Sequence, residues 1–248
     1  MIVLLDAGNS RYKWAKLSDG KPVHLGACDY NIRERAQAVI RTLETLDPDR
    51  IIAASVLDDD FNQQLNDWAR SNYPVNLELI ETRPSAHGVH IAYATPKNLG
   101  VDRFVALVGA HENIPTASII VDCGTAVTID ALASSGEHRG GLILPGVELM
   151  RTSLVYDTKR IVVQKHSQEY PLFGRDTGDG VLSGTLRAVA AAVDRISADM
   201  EAELNEPVTR ILCGGDAEQL IPWLDYEYLH EPLLIAKGLA VFAEHESG

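Results

Sequence analysis

Two aspartates stand where carboxylates could do phosphate chemistry. Asp6 ends the apolar run 2–5 and is followed by Ala7-Gly8-Asn9-Ser10; Asp122 ends the β-branched run 118–121 and is followed by Cys123-Gly124-Thr125. A carboxylate at a strand end can hold a hydrated Mg²⁺. A glycine two residues on lets backbone N–H groups approach a phosphate with no side chain between them. Asn9, Ser10 and Lys13 add donors and a positive charge beside the first aspartate. An ordinary hairpin turn also uses Asp-x-Gly, so either motif alone reads as a turn. The two lie 116 positions apart in a chain of 248, and together they read as one device used twice.

A third segment, Gly100-Val101-Asp102-Arg103, offers different chemistry. A carboxylate within hydrogen-bond reach of a hydroxyl serves as a general base. A neighbouring guanidinium can dock a substrate carboxylate through a two-pronged pair. The alternative is a charged pair at a helix start, where aspartate is favoured by the helix dipole. Tyr93 lies in the Pro/Gly-bearing stretch before it. His87-x-x-His90 has no third ligand nearby, so it implies no metal. There is no GxxxxGK[ST] phosphate loop and no GxSxG elbow, and 178–184 reads GxGxxxG, one residue off the dinucleotide fingerprint.

The elements that must carry these residues follow from hydrophobic periodicity. Residues 2–5 and 12–15 read as a hairpin closed by the Gly8 turn, with a further turn at Ser18-Asp19-Gly20. Helical spacing marks 34–46, 60–72, 101–111, 180–203 and 233–244; strands are expected at 51–56, 77–80, 118–122, 127–132, 140–143 and 209–212. The Gly214-Gly215 pair after the last of these strands suits a backbone passing under an adenine ring, or a helix-initiating turn. The expected division is 1–115 and 116–248, at Pro115.

Composition sets the outer bounds. The net charge is −13, which argues against a nucleic-acid or anionic-membrane binder, since either needs a basic footprint; an anionic small-molecule substrate needs only a local positive field. Apolar residues are 46% and charged residues 23%, an ordinary globular mix. Cys28, Cys123 and Cys213 are odd in number and widely spaced, so neither a disulfide framework nor a structural zinc site is expected. With no secretory leader and no long apolar run, the expectation is a soluble cytoplasmic protein.

Asp6-x-Gly-Asn-Ser, Gly100-Val101-Asp102-Arg103, Asp122-x-Gly124-Thr125-Ala126-x-Thr128 and Gly140-Gly141-x-Ile143-x-Pro145-Gly146 occur in that order. In order and spacing they resemble the type III pantothenate kinases, of the actin, hexokinase and Hsp70 superfamily. The resemblance implies an α/β fold of two duplicated ribonuclease-H-like (actin-like ATPase) domains around a cleft. It implies ATP contacts at Asp6, Ala7, Gly8, Asn9, Ser10, Arg11, Tyr12, Lys13 and Thr125. It implies substrate contacts at Tyr93, Gly100, Val101, Asp102, Arg103 and Thr177, with Asp102 as base. Asp122 would bind a monovalent cation, K⁺ or ammonium, and Mg²⁺ would accompany ATP. The chain departs from the family at Asp176, where asparagine is usual, which bears on Thr177.

The activity so implied is ATP-dependent phosphorylation of pantothenate, opening coenzyme A biosynthesis. Two alternatives stand beside it: another small-molecule kinase or phosphohydrolase of the same superfold, and a non-catalytic nucleotide-binding regulator. The resemblance also implies a homodimer. The stretch 181–193 supports that, being apolar around nearly its whole circumference in its second half; a helix sandwiched between the two domains is the competing explanation.

Overall fold

The computed structural model describes residues 1–30, 34–72, 75–157 and 170–245. The chain forms two compact units, Met1–Pro115 with Ser134–Gly140 and Leu233–Gly248, and Thr116–Ala133 with Gly141–Pro232. The closing segment thus groups with the first unit, a distribution that a single division after residue 115 does not contain.

The first unit is built on β1 (Ile2–Ala7), β2 (Arg11–Ser18), β3 (Lys21–Asp29), β4 (Arg50–Ser55) and β5 (Asn76–Leu79), in the order β3-β2-β1-β4-β5. β1, β2 and β3 are antiparallel neighbours, while β4 runs parallel to both β1 and β5. Strand alternation turns Val3, Leu5, Ala7 and Tyr12 to one face. There they pack with Val39 and Leu43 of α1 (Arg35–Leu46) and with Phe61 and Leu65 of α2 (Asp59–Ser71). Asp58 caps α2 by accepting from the Phe61 amide at 2.9 Å. A small hairpin, β6 (Ser85–Ala86) with β7 (Val89–His90), precedes α3 (Val101–Asn113). α3 packs against the last helix, α7 (Leu234–His245), and both touch β4. Two glycines allow that crossing. A Cβ on Gly109 would sit 2.5 Å from the Leu234 carbonyl oxygen, and one on Gly238 would sit 2.0 Å from that of Val105.

The second sheet repeats the plan with β8 (Ala117–Cys123), β9 (Ala126–Leu132), β10 (His138–Pro145, whose residues up to Gly140 group with the first unit), β11 (Val208–Cys213) and β12 (Leu229–His230), in the order β10-β9-β8-β11-β12. β9 is antiparallel and β11 parallel to β8. Its core joins Ile119, Val121, Val127, Ile129 and Leu212 to Val147 of α4 (Val147–Asp157), to Leu186, Val189 and Val193 of α5 (Thr177–Leu204), and to Leu220 of α6 (Ala217–Leu220).

Besides the short elements β6, β7, β12 and α6, two longer ones escape the sequence reading for physical reasons. β3 is a mostly exposed strand at the sheet edge that carries Pro22, so it lacks the apolar alternation that marks a strand. α4 has its polarity inverted: Leu149 and Leu154 are exposed, while Arg151 is buried and donates to Thr185 Oγ1 and the Leu182 carbonyl, both at 3.2 Å.

Candidate active site

The first Asp-x-Gly turn joins β1 to β2. Asp6 lies opposite Lys13 and Ala7 opposite Tyr12, so carboxylate and ammonium share one face of the sheet. The Gly8 amide donates to the Arg11 carbonyl at 3.0 Å and is consumed within the turn. The turn residues that follow, Asn9 and Ser10, are exposed. Arg11 is also exposed and pairs with Asp29 at 2.7 Å, which holds the Asp29 carboxyl below its ordinary range. Ala7 and Tyr12 are placed differently. Both side chains are buried, and the Tyr12 hydroxyl lies 2.9 Å from Thr42 Oγ1 on α1. Whatever these two residues present on the outside of the hairpin is main chain.

The second turn joins β8 to β9 in the same manner. Asp122 lies opposite Thr128, and the Gly124 amide donates to the Ala126 carbonyl at 3.0 Å. Thr125 is exposed at its tip. The turn rests on two other glycines. A Cβ on Gly146 would stand 2.2 Å from the Gly124 carbonyl oxygen, and one on Gly214 would stand 2.3 Å from that of Cys123. Gly214 has φ +94, so of the two roles weighed for the Gly214-Gly215 pair, close backbone packing and a turn into α6 is what this geometry displays. The Asp216 amide donates to the Cys123 carbonyl at 2.9 Å, bringing a second aspartate to the end of β8. Burial pushes the Cys123 thiol far up, and the Asp122 and Asp216 carboxylates push it further. Asp216 was not singled out in the sequence; its only signal is the Gly-Gly-Asp that follows an apolar strand.

The third segment opens α3. Gly100 is the N-cap residue, with its carbonyl accepting from the Phe104 amide at 3.0 Å. Asp102 turns back and accepts from the Arg103 amide at 2.7 Å. A Cβ on Gly100 would fall 2.5 Å from that same carboxylate oxygen, so glycine is what leaves the carboxylate room. Arg103 is buried, and its Nη1 donates to the Tyr93 hydroxyl at 3.1 Å. The Tyr93 ring also stacks on His138 at 6.0 Å between centroids. His138 is a buried member of this cluster for which a lone histidine after a turn gives no sequence signal. A cavity of about 450 Å³ adjoins the segment, lined among others by Ser55, Asn62, Glu81, Lys97, Gly100 and Val101.

Thr177 is exposed at the first position of α5. Asp176 caps this helix by accepting from the Asp179 amide at 2.8 Å. Aspartate and asparagine cap helices about equally well, so the departure at 176 keeps the local geometry.

Among the described residues, no group of three or more His, Cys, Asp or Glu is arranged to hold a metal. Mg²⁺ arriving with a triphosphate needs only one or two carboxylates, and a monovalent cation takes oxygen ligands. Asp6, and Asp122 with Asp216 near it, fit that donor chemistry.

Residues 2–199 match the type III pantothenate kinase family. The type III pantothenate kinase of Nitrosococcus oceani is 35% identical over 257 residues, an alignment covering 100% of this chain and 95% of the relative. The chain belongs to the type III pantothenate kinase family. Two solved structures share its fold at low identity. A Baf family transcriptional activator from Campylobacter jejuni has a TM-score of 0.61 at 21% identity, covering 96% of this chain and 94% of that one. The activator of 2-hydroxyisocaproyl-CoA dehydratase from Clostridium difficile, with bound ADPNP, has a TM-score of 0.54 at 12% identity, covering 98% and 93%. The paired sheets of this pantothenate kinase family member are those of the duplicated actin-like ATPase fold.

Proposed function

We propose that this chain transfers the γ-phosphoryl group of ATP to the primary hydroxyl of pantothenate, giving 4'-phosphopantothenate and ADP. The observation that carries the assignment to particular residues is the start of α3. There, one turn of helix presents a carboxylate, Asp102, beside a buried guanidinium, Arg103, that is already oriented by Tyr93. Pantothenate offers the matching pair, a hydroxyl at one end and a carboxylate at the other. Asp102 takes the hydroxyl proton as the oxygen attacks phosphorus, and Arg103 with Tyr93 fixes the substrate carboxylate. The β1–β2 turn and Lys13 hold the triphosphate, and Thr125 contacts the nucleotide from the second hairpin. Mg²⁺ and a monovalent cation, when bound, neutralise charge developing on the transferred group; Asp6 and Asp122 are the residues that would hold them. An ADP-release assay with the purified protein tests the reading. Release that needs pantothenate supports it, and release with another acceptor, or with none, overturns it.

The same reading includes a homodimer working in the cytoplasm. α5 packs Leu186, Val189 and Val193 into the core of its own unit, and Val181 and Leu182 are buried as well, so much of its apolar circumference is covered. Ala188 and Ala191 stay exposed on its far side, and on α4 Leu149 and Leu154 are 44% and 41% exposed. A second copy would cover these groups. Sedimentation is expected to give a dimer, with activity falling on dilution; a fully active monomer would remove the dimer from the proposal. Among the described residues, no helix is long and apolar enough to cross a membrane.

A further inference from the structure

Arg35 occupies an odd place. It is the first residue of α1, whose first turn has no acidic residue and whose N-cap residue, Glu34, makes no side-chain cap. A cation at the positive end of a helix dipole is unfavourable, so something else must hold it there. Its Nη2 donates to the Asn9 carbonyl at 2.9 Å. Its guanidinium lies 5.7 Å from the centre of the Tyr30 ring. Tyr30 in turn donates its amide to the Ser10 carbonyl at 3.1 Å, and its ring stacks on Tyr12 at 5.1 Å. Two successive carbonyls of the β1–β2 turn are therefore gripped from outside, one by a side chain and one by main chain.

A trans peptide is planar, with its C=O and the following N–H pointing in opposite directions. Drawing the Asn9 carbonyl towards Arg35 fixes the plane of the Asn9–Ser10 peptide. It therefore fixes which way the turn presents its amide. Two buried donors beside this turn, the Tyr30 hydroxyl and Arg35 Nε, have no hydrogen-bond partner among the described residues. Burial and the Asp6 carboxylate keep the Tyr30 phenol protonated, so it remains a donor.

We propose that Arg35, seated on Tyr30, is a positioning residue that sets the β1–β2 turn for the phosphates of the nucleotide. The inference rests on the reading of that turn as the triphosphate site. The test compares the wild type with Arg35→Ala and Arg35→Lys, using the KM for ATP, the KM for pantothenate, and calorimetric binding of a non-hydrolysable ATP analogue. Arg35→Ala is expected to raise the ATP KM and the analogue Kd about tenfold, in line with a lost charged hydrogen bond, and to leave the pantothenate KM unchanged. Arg35→Lys is expected to recover part of the loss, because an ammonium can still donate to the Asn9 carbonyl. An unchanged analogue Kd, or an equal rise in both KM values, overturns the proposal. If Arg35→Ala does not fold, Arg35→Met, which keeps the length and loses the donor, takes its place: a rise confined to ATP supports the role, and no rise removes it. A wild type that binds no analogue refutes the triphosphate site itself, and the role of Arg35 with it.

Discussion

The two Asp-x-Gly hairpins share a backbone and differ in almost everything around it. In each, the glycine amide closes the turn at 3.0 Å. In each, the chain leaving the adjacent parallel strand donates to the carbonyl that ends the first: Val56 to Ala7 at 3.1 Å, and Asp216 to Cys123 at 2.9 Å. The surroundings then diverge. The first turn is ringed by Lys13, Arg11 and Arg35, and side chains support it. The second has Asp122 and Asp216 beside it, and the backbone at Gly146 and Gly214 supports it. A duplicated strand plan has thus been given different local charge: mixed at the first turn, where Asp6 faces Lys13 and Asp29 pairs with Arg11, and carboxylates at the second. A turn that brings cations suits phosphate, and one flanked by carboxylates alone suits a cation, so the duplication does not make the two turns equivalent.

The largest expected effect separates both hairpins from the chemistry. Asp102 lies on α3, outside either turn, so Asp102→Asn is expected to lower kcat by ~10²–10⁴-fold with nucleotide binding intact. The side chains are near-isosteric, but an amide cannot take the hydroxyl proton. Steady-state kinetics beside calorimetry with an ATP analogue checks both halves. Near-wild-type kcat would remove Asp102 from the role of base.

A smaller and more pointed effect distinguishes the hairpins from each other. Lys13→Ala is expected to raise the KM for ATP by roughly 10–100-fold, the range for a hydrogen bond to a charged group, and to leave the K⁺ titration curve in shape. Asp122→Ala is expected to flatten that K⁺ titration. If both variants changed the K⁺ dependence alike, the contrast in charge would carry no functional division.

What could be read in advance follows from how local each signal is. An apolar strand ending in Asp-x-Gly is contiguous in sequence, so both turns were legible, as were α3 and α5 with their helical periodicity. Residues that reach a site across the fold were not. Arg35 meets Asn9 only after β2 and β3 have brought the chain back, and Asp216 meets the end of β8 only once β11 is laid beside it. Tyr12 shows the converse. It belongs to a phosphate-turn motif by position, yet strand alternation sends its side chain into the core. α7 reads correctly as a helix, but nothing in 233–244 shows that Gly238 will nest against Val105 of the first unit.

The least effect on chemistry, and the sharpest on architecture, is expected from the glycines. Sequence weights Gly8 and Gly124 as the motif residues, but the surroundings rank them otherwise. A Cβ on Gly124 would find its nearest neighbour at 3.7 Å, which is ordinary contact; on Gly8 it would lie 3.0 Å from the Arg11 carbonyl oxygen, and on Gly214 it would meet three atoms within 2.5 Å. Gly214 also has φ +94, a conformation costing an L-residue about 1–2 kcal/mol before any overlap. Overlap with the Cys123 backbone cannot be relieved by turning a side chain, so the total for Gly214→Ala is expected near 3 kcal/mol or more. At this chain length that corresponds to a fall in Tm of roughly 6–12 °C. Gly124→Ala is expected to move Tm by no more than about 2 °C, with Gly8→Ala between them. Thermal unfolding of the three variants in one buffer checks the order. If Gly124→Ala were the most destabilised, the second turn would depend on its own glycine. The support assigned to the backbone packed against Gly214 would then be wrong.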